Sequence, residues 1–352
     1  MSLIFSWRDF KNRSRGLTFD DVLIVPQKSD VRSRQHPDLC ARLTKKLKIQ
    51  KPFVSANMDT VTEADMAIAM NKEGAVGILH RFMSIADQAQ QVRALQASGA
   101  SIIAASVGVN GDTHDRAKAL VECGANVLTI DIAHGHSVQM LETLKWLKDT
   151  YPNVEVIAGN VATPQAARDL CEAGADAIKV GIGPGSMCTT RVITGAGVPQ
   201  LTAIALCAEV TSEMHVPLIA DGGIKTSGDI VKALACGADS VMLGSLLAGT
   251  LETPGAIRHG KKEYRGMASK AAQVSWRGEV PEGMAPEGES TYVAIKGHVA
   301  DIIHELAGGL RSGMSYMNAL RIEDIRERAQ FIEMSPLGLR ESRAHGLFSE
   351  RA

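Results

Sequence analysis

Aromatic residues make up only 4% of the 352-residue sequence, and its formal net charge is -1. A nearly neutral chain lacks the one-signed field that would draw it to nucleic acid or to anionic membranes. No stretch approaches the roughly 18 consecutive apolar residues of a membrane-spanning helix. The first fifteen residues, MSLIFSWRDFKNRSR, lack the continuous apolar core of a secretory signal. We therefore expect a cytoplasmic protein with neither a nucleic acid nor a membrane as partner.

Cysteine motifs are also missing. The six cysteines are scattered without a CxxC pair, which argues against a zinc site and against a disulfide framework. No GxGxxG follows the first predicted strand, which argues against an open dinucleotide-binding sheet. The 33 glycines and few aromatics instead favour close packing of helices on a sheet.

One stretch, residues 179–191 (KVGIGPGSMCTTR), combines three glycines, a proline and a cysteine directly after an apolar segment. Glycine allows a backbone to adopt positive φ and to approach a ligand closely. A glycine-rich turn beside a small apolar cysteine is the plain alternative. The density of glycines and hydroxyls around Cys188 favours a ligand-binding loop.

A repeated phrase, a helix ending in Gly-Ala followed by a short apolar strand, runs through the chain. Glycine after a helix adopts the left-handed position that ends it, and a strand buried on both faces is continuously apolar. The repeat predicts eight strands near residues 53–56, 76–80, 101–106, 127–133, 154–160, 177–181, 217–223 and 240–244. Helices are predicted between them at 63–71, 85–97, 115–123, 137–150, 164–172, 201–211 and 227–235. This alternation is typical of a (β/α)8 barrel.

We expect residues 1–352 to form this barrel as a single catalytic domain, with an active-site loop and flap region at 252–298. The latter is rich in Gly, Pro, Lys and Glu and lacks periodicity, and loops this long are functional or disordered. A C-terminal helical extension is predicted at 299–306, broken at Gly308-Gly309, and continued at 316–320 and 322–331.

In a (β/α)8 barrel the chemistry lies at the carboxyl ends of the strands. The loops after strands 7 and 8, which begin at Asp221-Gly222-Gly223 and Gly244-Ser245, commonly bind phosphate there. Ser186 and Ser245 would add hydroxyl donors. Asp221 would repel a phosphate, so we expect it to bond a ribose hydroxyl.

Cys188 is the best candidate for a nucleophile, because a cysteine on such a loop faces a bound ligand and a thiolate is a strong nucleophile. Thr190 is a candidate proton relay. A hydroxyl is a weak base alone and needs a carboxylate, which Glu282, Glu287 or Glu289 could supply.

Two rival sites are weaker. Lys179 on strand 6 could form a Schiff base, although a structural ion pair is the better interpretation. His134 and His136 could bind a metal with Asp131, but a third ligand of convincing spacing is missing.

The motifs SANMDTVTEA, VGILHR, DIAHGHS, KVGIGPGSMCTTR, ADGGI, YRGM and GGLRSGMSY together resemble the IMP dehydrogenase / GMP reductase family over nearly the whole chain. This resemblance implies a (β/α)8 barrel, usually a homotetramer. It also implies binding of a purine nucleotide monophosphate (GMP or IMP) and a nicotinamide cofactor, with a cysteine that forms an adduct at purine C2.

The resemblance leaves two reactions open. Family dehydrogenases oxidise IMP with NAD and hydrolyse the adduct with an Arg-Tyr pair on the flap, whereas the reductases deaminate GMP with NADPH. Three features favour a reductase of purine salvage. No regulatory domains are inserted after strand 2. The flap between Met267 and Glu287 is short and contains Trp276-Arg277 rather than Arg-Tyr, and the motifs DIAHGHS and ILHRF are similar to those of reductases. Four motifs are more similar to the dehydrogenases: SANMDTVTEA, VMLGSLLAGT, YRGM and the tail LRES. A Schiff-base lyase and a non-catalytic nucleotide-binding barrel are the remaining alternatives.

Position by position, the resemblance implies a nucleophile at Cys188 and a relay formed by Thr190 and Glu287. Substrate contacts are implied at Ser186, Asp221, Gly222, Gly223, Gly244, Ser245, Gly266, Met267 and Gly288. The NADPH side is implied at Asp131, His134 and Ser106. Backbone carbonyls of Gly181, Gly183 and Cys188 are implied as ligands of a potassium ion.

Overall fold

The computed structural model describes residues 3–280 and 282–342. The predicted domain's last residues, 343–352, and Pro281 of the flap lie outside these ranges. The strands, in chain order, are β1 (Ile4–Phe5), β2 (Val22–Ile24), β3 (Ala41–Arg42), β4 (Lys48–Ile49), β5 (Phe53–Ser55), β6 (Val76–Leu79), β7 (Ala104–Val107), β8 (Val127–Asp131), β9 (Glu155–Val161), β10 (Ala177–Val180), β11 (Leu218–Asp221), β12 (Ser240–Leu243), β13 (Lys261–Arg265), β14 (Ser290–Ala294) and β15 (Phe331–Glu333).

The helices are α1 (Ala64–Lys72), α2 (Ile85–Ala97), α3 (Thr113–Glu122), α4 (Val138–Thr150), α5 (Pro164–Glu172), α6 (Thr190–Thr194), α7 (Gln200–Glu213), α8 (Ser227–Ala235), α9 (Lys270–Arg277), α10 (Val299–Tyr316), α11 (Ile322–Arg328) and α12 (Pro336–Glu341). Two short 3-10 turns lie at Trp7–Asn12 and Phe19–Asp21. Among the described residues, no helix is both long enough and apolar enough to cross a bilayer.

Strands β5 to β12 form a closed, all-parallel barrel in which β12 pairs with β5. All eight predicted strands are therefore confirmed, and the fold is a (β/α)8 barrel. Between β6 and β7 the chain passes only through α2, which ends at Ala97, so no domain is inserted there. The apolar runs form strands because both faces are covered: every residue of β6 is buried.

Four of the barrel helices, α2, α4, α5 and α8, begin at side-chain caps. Ser84, Ser137, Thr163 and Thr226 each accept a hydrogen bond from the third backbone N–H of the helix that follows. Such a cap is worth about 1 kcal/mol because it satisfies an otherwise unpaired donor. These four side chains therefore set where each helix leaves its loop.

The predicted break at Gly308-Gly309 is wrong, because α10 runs unbroken from Val299 to Tyr316. A Cβ on Gly309 would overlap the Ser227 hydroxyl oxygen, and one on Gly313 would lie 2.6 Å from a Val231 methyl. These glycines let α10 pack directly on α8. Packing against a neighbour outweighs the cost of glycine in a helix, about 1 kcal/mol per residue.

The predicted loop region 252–298 contains more regular structure than its sequence indicates. Strands β13 and β14 pair antiparallel from Lys261 opposite Ala294 to Arg265 opposite Ser290. Helix α9 lies between them in sequence. Because the two strands are separated by more than 20 residues, their pairing leaves no hydrophobic periodicity that the local sequence would show. This hairpin carries the flap to the carboxyl end of the barrel.

Candidate active site

A cavity of about 420 Å³ opens at the carboxyl end of the barrel. Its wall brings together most of the residues that the sequence predicts for the site: Asp131, Gly181, Gly183, Ser186, Cys188, Thr190, Asp221, Gly222, Gly223, Gly244, Ser245, Gly266, Met267 and Glu287. The remaining three, Ser106, His134 and Gly288, do not line it. Loops from several barrel strands and the flap therefore converge on one space.

Cys188 and the flap carboxylate are joined by a continuous hydrogen-bonded chain. The Cys188 thiol donates to Thr190 Oγ1 (3.1 Å), and the Thr190 hydroxyl donates to Glu287 Oε2 (2.7 Å). Of the three glutamates offered by the sequence, Glu287 is the one that reaches Thr190. This arrangement can move a proton between the cavity and a carboxylate.

Main-chain hydrogen bonds fix the position of Glu287. Its N–H donates to the Ala268 carbonyl (3.0 Å), and its carbonyl accepts from the Thr189 N–H (3.0 Å). Next to it, the Glu289 N–H donates to the Met187 carbonyl (2.9 Å). The returning end of the flap thus lies between the cysteine loop and the segment after β13.

Glycine makes this contact possible. A Cβ on Gly266 or on Gly288 would lie 3.0 or 3.1 Å from the Met187 carbonyl oxygen, closer than nearly all real contacts. Gly288 also bridges to Cys188 and to Ser269 through the backbone. Gly288 is therefore placed to support the site through packing.

Lys179 is buried beneath the cavity between two carboxylates. Its ammonium lies 2.7 Å from Asp131 Oδ1 and 2.8 Å from Asp221 Oδ2, and it also donates to the Asn160 side chain. Burial disfavours the charge, but the two carboxylates outweigh it and raise the pKa of Lys179 above its ordinary value. A lysine held protonated is a poor Schiff-base nucleophile, so the structural ion pair is the better description.

Asp221 keeps one oxygen for a ligand. Lys179 and Asn160 both donate to Oδ2, which leaves Oδ1 without a side-chain partner in the described residues. Its backbone carbonyl accepts from Gln200 Nε2 (3.0 Å), and a Cβ on Gly181 would overlap the same carbonyl oxygen. The carboxylate and the start of the cysteine loop are thereby held in fixed relation.

The predicted phosphate end includes a residue that sequence reasoning missed. The Tyr264 hydroxyl lies 3.1 Å from Ser186 Oγ, and the ring is buried. Burial raises the pKa of Tyr264, so the phenol stays neutral and can donate. The Lys296 ammonium donates to the carbonyls of Ser245 (2.8 Å) and Leu246 (3.2 Å), which orders the turn after β12. The YRGM motif, which includes the predicted Gly266 and Met267, could have drawn attention to Tyr264 but not to its contact with Ser186.

Of the three residues predicted to contact the cofactor, only Asp131 lines the cavity. Burial opposes the charge of Asp131, but Lys179 lowers its pKa. Ser106 is fully buried, where it accepts from Asn57 Nδ2 (2.9 Å), so any role is indirect. His134 is exposed outside the cavity wall. His136 pairs with Asp169 (2.7 Å), and no metal-binding cluster of His, Cys, Asp or Glu is found among the described residues.

A cluster of aromatic and cationic side chains lies at the cavity, where the flap meets the loop after β6. No local sequence pattern indicates that these side chains contact one another. Trp276 of α9 stacks on Phe82, with ring centroids 4.3 Å apart and planes at 14°. The Arg81 guanidinium lies 5.3 Å from the Phe82 ring and 5.6 Å from Trp276. Arg277 lies 4.7 Å from the Trp276 ring. This cluster connects the flap to the loop after β6.

Most of the chain matches one known protein family. A sequence model described as "IMP dehydrogenase / GMP reductase domain" matches residues 16–345. The chain belongs to the IMP dehydrogenase / GMP reductase family. Its members are oxidoreductases that bind purine nucleotide monophosphates and use a nicotinamide cofactor.

Individual family members are similar over almost their full length. The chain is 41% identical to an inosine-5'-monophosphate dehydrogenase of Cryptosporidium parvum, with 95% of this chain and 96% of the relative covered. It is 36% identical to that of Nitrosopumilus maritimus, with 94% and 98% covered. A crystal structure of a cysteine-to-alanine variant of GMP reductase from Trypanosoma brucei, in complex with guanosine 5'-monophosphate, is similar with a TM-score of 0.90, 35% identity, and coverage of 96% and 99%.

Two ligands that the resemblance implies, a nicotinamide cofactor and a potassium ion, can be compared with the residues of the cavity. The buried polar atoms Arg81 Nε and Gln273 Oε1 have no partner within the described chain, and both residues line the wall, which fits a polar ligand such as a nicotinamide carboxamide. For the cation, the Gly181 carbonyl accepts from Asn160 Nδ2 (2.8 Å). A carbonyl oxygen has two lone pairs, so this bond is compatible with a potassium ion there.

Proposed function

We propose that the protein is a GMP reductase, which converts GMP to IMP and ammonia with NADPH in purine nucleotide salvage. The observation that carries this proposal is the chain from Cys188 through Thr190 to Glu287. A thiol next to a hydroxyl–carboxylate relay has the parts needed to add to C2 and to protonate a departing amine. The similarity to the Trypanosoma brucei GMP reductase supports it.

In the first step, Cys188 Sγ forms a bond to purine C2 and the C2–N bond breaks. The thiol proton passes through Thr190 and Glu287 to the amino group, which leaves as ammonia. Asp131, Arg81 and Gln273 of the cavity wall would hold a nicotinamide cofactor, which would supply a hydride to C2. The C2–S bond then breaks, Cys188 leaves as a thiolate and takes up one proton, and IMP is released. Overall, GMP, NADPH and one proton give IMP, ammonia and NADP.

The remaining contacts support substrate binding. Ser186, Tyr264, Ser245 and the glycines after β11 would hold the phosphate, and the free oxygen of Asp221 would accept from a ribose hydroxyl. Gly266 and Met267 would contact the base through their backbones. A potassium ion on the carbonyls of Gly181, Gly183 and Cys188, and a homotetramer, belong to the same proposal. Turnover in potassium compared with lithium salts tests the first, and light scattering tests the second.

The second candidate is an IMP dehydrogenase without regulatory domains, which would use NAD and water. The named dehydrogenase relatives favour it, and Arg277 lines the cavity, where it could activate a water. Against it, the flap segment from Met267 to Glu287 contains no Arg-Tyr pair.

The deciding experiment offers the purified protein GMP with NADPH and, separately, IMP with NAD. We expect oxidation of NADPH in the first mixture, with ammonia as a product. Formation of NADH in the second mixture alone would replace the reductase with the dehydrogenase. GMP binding without turnover in either mixture would indicate a nucleotide-binding barrel that is not an enzyme.

A further inference from the structure

We propose that Asp59 and Arg265 are positioning residues that hold Glu287 in place for the relay, an inference that rests on the proposed function. Arg265 Nη2 donates to Asp59 Oδ2 (2.6 Å), and Arg265 Nε lies 3.0 and 3.3 Å from the two carboxylate oxygens. Their side chains are only 13% (Arg265) and 8% (Asp59) exposed. Two nitrogens of the planar guanidinium therefore donate to the carboxylate, a geometry that fixes the orientation of the two side chains as well as their distance.

The pair connects two parts of the chain that would otherwise be independent. Asp59 follows barrel strand β5, whereas Arg265 ends β13 and begins the segment that leads into the flap. The Arg265 N–H also donates to Thr60 Oγ1 (3.2 Å), and the Asp59 N–H lies 3.2 Å from Met267 Sδ. The loop after β5 thus holds the beginning of the flap through side chain and backbone.

The segment that Arg265 begins, residues 266–268, also binds the backbone around Glu287. The Ala268 carbonyl accepts from the Glu287 N–H (3.0 Å), and the Gly266 N–H donates to the Glu289 carbonyl (2.9 Å). A shift of residues 266–268 therefore moves the Glu287 backbone and lengthens the 2.7 Å contact between its carboxylate and Thr190. Catalysis is sensitive to such shifts, since a misplacement of about 1 Å can cost about a hundredfold in rate.

Arg265 has a second contact in the flap. Its Nη1 lies 3.4 Å from the Ala271 carbonyl, in the first turn of α9. The guanidinium consequently holds both the backbone that pairs with Glu287 and the helix that carries Trp276. Lysine would keep the positive charge but not the planar arrangement of donors. Arg265→Lys therefore tests whether the bidentate geometry matters apart from the charge.

The test is a double-mutant cycle of Arg265→Lys with Glu287→Gln, measured as kcat for GMP and NADPH. We expect Arg265→Lys alone to lower kcat about tenfold, with the KM for GMP changed less than about twofold. In the Glu287→Gln background it should have no further effect, because there is no ionised carboxylate left to position. Equal effects in both backgrounds would overturn the proposal, as would an Arg265→Lys enzyme with unchanged kcat.

Two further variants keep the outcome decisive. Asp59→Asn should reproduce the kcat loss, and it replaces Arg265→Lys in the cycle if that variant does not fold. Arg15→Lys changes an exposed arginine that pairs with Glu333, and neither residue belongs to the flap or lines the cavity, so it should leave kcat unchanged. A wild-type protein inactive on GMP but active on IMP would refute the proposed function, and the cycle would then be run on IMP and NAD. In that case a reaction insensitive to Glu287→Gln would overturn the positioning role as well.

Discussion

The cysteine loop and the flap form facing walls of one cavity, but different forces hold them. The loop continues from β10, and the buried Gln200 side chain donates to the Val180 and Asp221 carbonyls at its start. The flap helix α9 is held by a ring stack and a few side-chain bonds, including Gln273 to the Met267 carbonyl (3.2 Å). The nucleophile is thus placed by the barrel, whereas the carboxylate depends on the flap. Substitutions that alter one wall at a time should separate the two contributions.

The largest effect is expected at the cysteine loop. Cys188→Ala removes the only protein atom proposed to bond to C2, so turnover should fall by more than about 10³-fold. GMP binding should persist, because the phosphate and ribose contacts are untouched. Ammonia release and calorimetric titration with GMP measure the two properties. Retained turnover would exclude the covalent mechanism.

On the flap side, Glu287→Gln removes the end of the relay and keeps its shape. Turnover should fall about 10²-fold, the lower range for a lost acid–base group. Glu289→Gln is the matched control, since its backbone rather than its carboxylate contacts the site, and it should stay within about twofold. Equal losses in both variants, measured as kcat, would contradict the assignment of Glu287.

Beneath the cysteine loop, Lys179→Met leaves two half-buried carboxylates, Asp131 and Asp221, without their buried cation. Such a change costs about 3–5 kcal/mol of unfolding free energy. In the wild type, the lowered pKa of Asp131 means that its contribution is complete above the unfolded value, about pH 4, and is lost as pH falls below it. In the variant, burial opposes the charge of Asp131 without Lys179 to offset it, so protonation of Asp131 relieves this cost and the difference in denaturation midpoint should shrink as pH approaches about 4. A constant difference would argue against the ion pair.

The two walls should also differ in their tolerance of alanine. Gly181→Ala places a Cβ on top of the Asp221 carbonyl oxygen, so the barrel backbone must move. Gly283→Ala in the flap meets no atom within 4 Å, and its φ of +79° costs about 1–2 kcal/mol locally. We expect a clearly lower thermal midpoint for Gly181→Ala and a small change for Gly283→Ala. The reverse order would mean that the loop, rather than the flap, is the adaptable wall.

The smallest effect is expected for Trp276→Ala, which removes the stack on Phe82. Such a pair is worth about 0.5–1.5 kcal/mol beyond the buried area, so the contact of α9 with the loop after β6 should be populated several-fold less. Faster proteolytic cleavage of the flap measures this, with little change in global unfolding. Unchanged cleavage would show that the stack does not hold the flap.

The barrel and its cysteine loop could be predicted from the sequence because both are local signals. Each buried strand is a continuous run of apolar residues in the sequence, and Cys188 directly follows a segment with three glycines. The pairing of Thr190 with Glu287 followed from the family resemblance, since 97 positions separate them. The stack of Phe82 on Trp276 and the Tyr264 contact with Ser186 could not be predicted, because they depend on how distant loops meet. The sequence predicts a break in α10 because glycine is unfavourable within a helix. Gly309 is there to allow close packing against α8, and that contact cannot be seen in the local sequence.

Ammonia and NADPH measured together in one reaction with GMP test the central claim, that the relay carries a deamination at Cys188. The account predicts one ammonia formed for each NADPH consumed by the wild type, and none by Cys188→Ala. NADPH oxidation without ammonia would contradict it. So would the absence of any reaction with GMP while IMP and NAD yield NADH.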